Sequence, residues 1–490
     1  MSVSAAMVAA TDHKLQRHLL REDGQEDVCL AVYRRSTGRT RTTALVAAPL
    51  LPQPGERSVH VNASFTGDYI VRGAAEAAAA GGGLVLLHSH PGGSGWQGLS
   101  QPDYETERSY AHLVHEMTGL PLVGMTLAGN GDWSCRQWTS AGDLTYGESV
   151  RVVGDSLRIT WNDRIRPAPL ATASQERTVS SWGETVQAGL ARTRVLVVGV
   201  GSVGLDVALR LAATGLVNIA VMDFDSLEIV NLDRMIGATR GDVLLARSKV
   251  EVAHRLMMRA ATTESPDFAQ LDASVCEPEG LAAALDYDVI ISCVDRPWAR
   301  GVLNTIAYAD LIPVLDGGIG IDSFDDGTMR GATWRTHAIM PGQPCLVCNG
   351  QLDPAAVQKD KLGLLDDERY IRNSGGNPAQ ERQNVALLSA SVSAGLLAQF
   401  VSLLVAPGGI GVPGPLRYAL APHWLEHLPV ETRPNCTFEG ASSTGDGRLV
   451  LTGTHHRARE SQAARNLQRR GMRTRVFHRV VPWFERRLRL

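Results

Sequence analysis

The sequence predicts an α/β protein with at least two structural units, and three observations carry that prediction. Between Arg192 and Arg234 the apolar run Val195–Val198 leads into Gly199, Gly201 and Gly204 at G-x-G-x-x-G spacing. A helical pattern of Ala and Leu follows, then a second apolar run, Ile219–Met222. Short β-branched runs flanking a helical period make a parallel βαβ unit. Far upstream, Leu84–His90 is a strand running straight into His-Ser-His-Pro, with a helical pattern after it. The length, 490 residues, calls for two to four domains with cores of their own.

Composition excludes some classes of partner. A net charge of −3 demands neither nucleic acid nor a membrane surface. No run of about 18 apolar residues is evident, and the first residues lack a basic stretch ahead of an apolar one, so a cytoplasmic protein is expected. The seven cysteines are an odd number without a disulfide framework. In a reducing compartment they read as buried thiols, metal ligands or nucleophiles.

Residues 1–150 form the first predicted unit. After an amphipathic start, Gln25–Tyr33 reads as a strand, Arg34–Thr42 as a turn and Thr43–Ala48 as a second strand. A helix over Gly73–Ala80 precedes Leu84–His90. Ser100 opens a helix to Met117, and Leu120–Ala128 and Asp132–Gln137 read as closing strands. His88 and His90, two apart on a strand, share one face, as a common metal requires. Asp103 is a third candidate ligand, leaving the fourth tetrahedral position to water, the open pattern of catalytic zinc. Ser100-x-x-Asp103 is also a helix capping box, which needs no metal. Glu26 adds an acid on an upstream strand.

Glu26, His88-x-His90-Pro and Ser100-x-x-Asp103 resemble the JAB/MPN metalloprotease family, which removes ubiquitin-like proteins or trims their tails. The resemblance implies that His88, His90 and Asp103 bind Zn²⁺, that Glu26 takes a proton from the metal water and that Ser100 steadies the oxyanion. Eight residues separate Pro91 from Ser100, about two more than is usual there, with the surplus among Gly92, Gly93 and Gly95.

Residues 151–190 read as a connector, in which Thr178–Glu184 would pack on a partner subunit, and 191–440 as the second unit. Its glycines let backbone N–H groups approach phosphate, and Asp223 lies where a ribose acid is expected. Alone, this favours a nicotinamide or flavin enzyme. Asp225, Asn231, Arg234, Lys249 and Asp295 change the reading, because cations and a metal-binding acid suit attack on the α-phosphate of ATP. Lys249 is one of only four lysines in an arginine-rich chain. These elements, in order over roughly 190–400, resemble the ThiF-type adenylating family, which includes activating enzymes for ubiquitin and for sulfur carriers. The resemblance places Gly201 under the phosphates and Asp223 on the ribose, with Gly199, Ser202, Gly204 and Asp225 also expected to bind the cofactor, although a loop cap would serve equally for Asp225. It places Asn231 and Arg234 near the β/γ-phosphates, Lys249 at the α-phosphate and Asp295 on Mg²⁺.

Cys345-x-x-Cys348 on a turn reads as the usual knuckle for a structural zinc. Only Cys436 stands where relatives carry a second pair, so three cysteines remain, with Glu439, His423 or nothing as the fourth ligand. Residues 351–384, with Arg369, Arg372 and Arg382, suit a mobile crossover segment, and Val385–Val405 an apolar core helix. From Arg457 the sequence is strongly basic. Apolar residues interleaved through it favour a docked element with a basic rim, able to receive an acidic partner, over RNA contact.

Together these readings imply an ATP-dependent activator of a ubiquitin-like protein's C-terminal carboxylate, fused to a zinc protease for the same tail. The implied partners are a ubiquitin-like protein, a separate conjugating enzyme and a second copy of the chain. Three alternatives stay open: sulfur-carrier activation, an NAD-dependent oxidoreductase and a non-catalytic scaffold.

Overall fold

The computed structural model describes residues 1–60, 62–367, 369 and 383–470. Arg372, Arg382 and the basic and aromatic residues from Arg473 to Arg489 lie outside the described residues.

The first unit is built on a nine-stranded sheet. Its strands are β1 (Ser2–Val8), β2 (Val28–Thr37), β3 (Arg41–Leu50), β6 (Gly83–His90), β7 (Leu122–Ala128), β8 (Trp133–Trp138), β9 (Leu144–Tyr146), β10 (Ser149–Val153) and β11 (Leu157–Trp161). A separate hairpin holds β4 (Arg57–His60) and β5 (Asn62–Phe65). The sheet order is β11-β10-β1-β3-β2-β6-β7-β8-β9. Helices α1 (Ala9–Leu19), α2 (Gly67–Ala79) and α3 (Gln101–Thr118) complete the unit. One apolar cluster joins Leu15 and Leu19 to Val85, Leu87 and Met125; another joins Ile70, Ala74 and Val114 to Leu30, Leu84 and Leu86. The alternating strand residues thus bury both faces.

Several sequence boundaries move. The β2–β3 turn is shorter than Arg34–Thr42, since β2 runs to Thr37 and β3 starts at Arg41. Strand β2 begins at Val28, so Glu26 precedes it. The sheet also runs beyond residue 150 into the expected connector. There β10 pairs in parallel with β1 and turns back as β11, burying Val150, Val152 and Leu157. An edge hairpin with so mixed a composition shows little periodicity until β1 gives it a partner.

The second unit begins with α4 (Glu176–Trp182) and α5 (Glu184–Arg192) and continues β12 (Arg194–Val198), α6 (Ser202–Thr214), β13 (Asn218–Met222), α7 (Arg240–Leu244), α8 (Lys249–Ala260) and β14 (Asp267–Leu271). Next come α9 (Pro278–Ala284), β15 (Val289–Ser292), α10 (Pro297–Ala309), β16 (Val314–Ser323), β17 (Met329–Ile339) and α11 (Pro354–Lys361). Last are α12 (Ala386–Leu404), β18 (Leu416–Ala419), β19 (Trp424–His427), α13 (Thr437–Gly440) and a helix α14 over residues 456–470. The sheet order is β14-β13-β12-β15-β16-β17-β18-β19, parallel as far as β16 and antiparallel beyond it. Strand order reverses between β12 and β15, the topological switch point where such sheets bind ligands.

By length and composition α12 is apolar enough to cross a membrane, but it is packed as the core helix the sequence predicts over Val385–Val405. Its Val392, Leu396, Phe400 and Leu403 pack into the core with Val197 and Leu205. The small residues along it allow that close approach.

The two units share one core, because Ala6, Leu45, Val153 and Leu157 join the cluster of Val195, Leu205 and Ile291. A buried ion network crosses the same boundary. Asp288 Oδ1 lies 2.5 Å from Arg41 Nη1 and 3.0 Å from Arg151 Nη1, and all three side chains are fully buried. Arg194 reaches Glu148 at 2.5 Å. Buried charges need such pairing, since an unpaired one costs several kcal/mol, roughly.

Candidate active sites

Strand β6 ends in His88-Ser89-His90, and the pleat sends the two imidazoles to one face and Ser89 to the other. Ser89, fully buried, donates from Oγ to the Leu19 carbonyl (2.7 Å) and accepts from Asp27 N (2.9 Å). On the opposite face His88 Nε2 and His90 Nε2 lie 3.2 Å apart, and Asp103 Oδ2 lies 3.6 and 3.8 Å from them. One ligand atom from each of the three falls within 4.8 Å of the other two, a spacing that fits a single ion.

Burial and the charge of Arg136 push the His88 pKa down to about 3, so its imidazole is neutral with a lone pair to offer. His90 is held above its ordinary value by the hydrogen bond to Asp103, against the effect of burial. Its Nδ1 faces Gln97 Oε1 at 3.3 Å, an outer hydrogen bond that turns Nε2 inward. Gln97 was not among the sequence candidates; it lies in the glycine-rich loop, where spacing carries no signal.

Ser100 and Asp103 form a full capping box on α3, with Asp103 N donating to Ser100 Oγ (3.3 Å) and Ser100 N to Asp103 Oδ2 (3.1 Å). The same Oδ2 faces the histidines and accepts from Ser100 Oγ at 2.6 Å. Cap and ligand geometry therefore coexist. The Ser100 hydroxyl is committed to Asp103.

Glu26 sits just ahead of β2, whose ladder pairs Val28 with His88. The next bond, Ser89 N to Asp27 O (3.0 Å), continues that register, which brings residue 26 opposite His90. Burial raises the Glu26 pKa, the charge of His90 lowers it and that of Asp103 raises it. A carboxyl so placed is poised for proton transfer. Asp27, also missed from sequence, anchors this entry to β2: its buried carboxylate takes Arg57 Nη1 at 2.7 and 2.6 Å.

In the second unit β12 ends at the glycine loop. Gly199 adopts φ +86°, and a Cβ there would meet the Cys293 carbonyl oxygen at 2.7 Å. A Cβ on Gly204 would meet the Gly199 carbonyl oxygen at 1.9 Å, so α6 packs against the loop only through glycine. Gly201 is the N-cap of α6, and a Cβ on it would meet nothing within 4 Å. The helix N-terminus, beginning at the nearly buried Ser202, thus opens on free space, as an anion site requires.

Asp223, at the end of β13, accepts from Val200 N (2.8 Å) and from Asp225 N (2.8 Å). Lys249, the first residue of α8, sets Nζ 2.6 Å from Asp225 Oδ2 and 4.0 Å from Asp223 Oδ2. Burial opposes the lysine charge, but Asp223 and Asp225 outweigh it and hold its pKa above the ordinary value. Burial raises the Asp223 pKa, and Lys249 opposes that rise. Asp295 lies exposed between β15 and α10, close enough for its charge to act on Lys249. Asn231 and Arg234 are not drawn into this group by hydrogen bonds. Asn231 Oδ1 accepts from Glu228 N (2.9 Å), and Arg234 pairs with Asp233 (3.0 Å) and the Val230 carbonyl.

Cys345, Cys348 and Cys436 also converge, with Cys436 Sγ 3.6 Å from Cys345 Sγ. Backbone N–H groups of Arg433 and Glu439 point at Cys348 and Cys436 sulfurs at 3.5 Å each. Of the expected fourth ligands, His423 is bonded to the Tyr418 hydroxyl (2.7 Å), and the Glu439 carboxylate takes Gly342 N (3.3 Å). Neither joins the three sulfurs.

Residues 173–407 match the ThiF family model, so the chain carries a ThiF family domain over that span. The molybdopterin-synthase adenylyltransferase of Escherichia coli is 27% identical over 171 residues, covering 33% of this chain and 65% of the relative. The NEDD8-activating enzyme E1 catalytic subunit of Arabidopsis thaliana is 30% identical over 185 residues, covering 36% and 38%. The adenylyltransferase and sulfurtransferase MOCS3 of Caenorhabditis briggsae is 25% identical, covering 32% and 38%. The chain thus spans less than two thirds of the length of each. The structure of E. coli MccB with ATP aligns over 55% of this chain and 74% of that one, with 18% identity and a TM-score of 0.42.

Proposed function

We propose that the chain uses ATP and Mg²⁺ to adenylate the C-terminal carboxylate of a ubiquitin-like or sulfur-carrier protein, and that its first unit is a JAB/MPN-type zinc peptidase acting on that protein. The observation that carries the first part is the half-buried Lys249 held between Asp223 and Asp225, beside the open N-terminus of α6. In the reaction a carboxylate oxygen of the carrier bonds to the α-phosphorus of ATP, the bond to the β-phosphate oxygen breaks, and pyrophosphate leaves. Lys249 would lie against the charge that develops on phosphorus, where a preorganised cation has its largest effect. The backbone of Gly199–Ser202 would hold the phosphates, Asp223 the ribose and Asp295 the Mg²⁺. Relatives named as adenylyltransferases and as an activating-enzyme subunit support this reading.

His88, His90 and Asp103 would hold the zinc, which supplies a water acidified for attack on a peptide carbonyl. Glu26 would take that water's proton. Ser100 is better suited to fixing Asp103 than to steadying an oxyanion, given where its hydroxyl points. Cys345, Cys348 and Cys436 suit a second, structural zinc. A second copy of the chain and a separate conjugating enzyme complete the proposed assembly. Pyrophosphate exchange into ATP, stimulated by the cognate carrier protein, tests the adenylation; Asp295→Ala should lower it about a thousandfold. Exchange unchanged in that variant removes Asp295 from its proposed place and the assignment with it.

A further inference from the structure

The ThiF family match ends at residue 407, yet residues 451–470 fold back onto Phe224, Trp298 and Asp272 of that domain. Trp298 Nε1 donates to the Leu451 carbonyl (2.8 Å), and Gly453 N to the Cys276 carbonyl (2.9 Å). His455 then enters between two rings, 4.8 Å from Phe224 and 5.1 Å from Trp298, stacked on the latter at 15°. Its Nδ1 caps α14 by accepting from Ala458 N at 3.1 Å. Two side chains of α14, Ser461 Oγ and Arg465 Nη1, donate to the Phe224 carbonyl, each at 3.1 Å. Arg465 is 3% exposed and also binds Ser226 Oγ (3.1 Å) and Asp272.

Phe224 is the residue between Asp223 and Asp225, so α14 grips the peptide that sets both carboxylates. Arg457, 41% exposed, reaches the same place from outside. Its guanidinium is 3.8 Å from Asp225, 3.3 Å from Asp366 and 5.8 Å from the Phe224 ring centroid. In a doubly wound sheet the acid ending the second strand takes the ribose, and the crevice continues outside the strand ends. Asp272 follows β14, the strand paired with β13, so Asp223 and Asp272 leave neighbouring strand ends. Residues 451–470 lie along those ends.

We propose that residues 451–470 are an integral wall of the nucleotide site. Through Ser461 and Arg465 they position the Asp223–Asp225 loop, and they present His455 and Arg457 to the nucleoside end of a purine nucleoside triphosphate. This rests on the adenylation reading, which assigns the ligand. Arg457 and His455 are positioning residues that act through the loop, Arg457 by reaching Asp225, the carboxylate that also holds Lys249.

The test is calorimetric titration of the full chain with Mg-ATP and Mg-GTP, with thermal unfolding of each variant. Arg457→Gln and His455→Ala should each weaken ATP binding about tenfold and narrow the ATP-over-GTP preference, while Arg457→Lys restores part of the affinity. Wild-type affinity in Arg457→Gln and His455→Ala overturns the proposal. Tighter binding in them also overturns it, since the segment would then be a plug. Should His455→Ala fail to fold, the exposed Arg457 decides the matter alone. A wild-type chain that binds no ATP defeats the adenylation reading itself, and this inference falls with it.

Discussion

Lys249 Nζ lies 2.6 Å from Asp225 Oδ2, in a site where Asp223 is 9% exposed and Lys249 14%. A half-buried lysine held charged by two carboxylates is a cation already in place for an arriving phosphate. Replacing it with Ala should lower carrier-stimulated pyrophosphate exchange by roughly a hundred- to thousandfold, the usual effect of removing one charge-stabilising donor. Lys249→Arg should recover little, because a planar fork does not replace a point charge. Steady-state exchange at saturating ATP measures both.

The first unit should bind one zinc per chain. His88→Ala should lose the metal and the peptidase activity together, whereas Glu26→Gln should keep the metal and lose only activity. Metal analysis beside cleavage of a carrier precursor separates the two. A full chain without zinc in this unit would leave it a scaffold.

The Asp288 carboxylate joins the two units through Arg41 and Arg151, and every side chain involved is buried. Asp288→Asn strips the partner from two buried guanidinium groups and should destabilise the chain by about 3–5 kcal/mol. The guanidinium groups outweigh burial and hold the Asp288 pKa far below that of a free aspartate. A depressed carboxyl pKa contributes stability that is fully present above the unfolded-state value of about 4 and is lost as pH falls through the folded value. Denaturant melts should therefore show wild type losing its advantage over Asp288→Asn only in strong acid.

Cys345, Cys348 and Cys436 face one another, so none is positioned as a lone nucleophile. Incubation with ATP and the carrier should give no reductant-sensitive adduct on this chain, the acyl group passing directly to a partner's thiol. An adduct on a non-reducing gel that vanishes in Cys348→Ala, with exchange preserved, would give that cysteine a catalytic role.

Much of both sites was legible because the chemistry-bearing residues cluster along the sequence. The glycine loop, Asp223 and Lys249 fall within about one βαβ crossover and its extension, and His88, His90 and Asp103 flank a single strand–helix junction. Gln97 and Asp27 were not legible, because their roles depend on a loop path and on Arg57 arriving from another hairpin. Asn231 and Arg234 were legible from the motif, and in the described structure both hold the turn after Glu228. The basic stretch from Arg457 looked like a rim for an acidic partner. Of its described members, Arg457, Arg459, Arg465 and Arg469 find acids within the chain, at Asp225, Glu277, Asp272 and Glu251. Such long-range pairing leaves no periodic trace.

The central claim is adenylation of a protein carboxylate, and the intact mass of the carrier after incubation with the full chain, ATP and Mg²⁺ tests it most directly. The account predicts a carrier heavier by one adenylyl group at its terminal residue, formed by wild type and absent with Lys249→Ala. A carrier of unchanged mass, with nicotinamide cofactor reduced by the same chain, would contradict it.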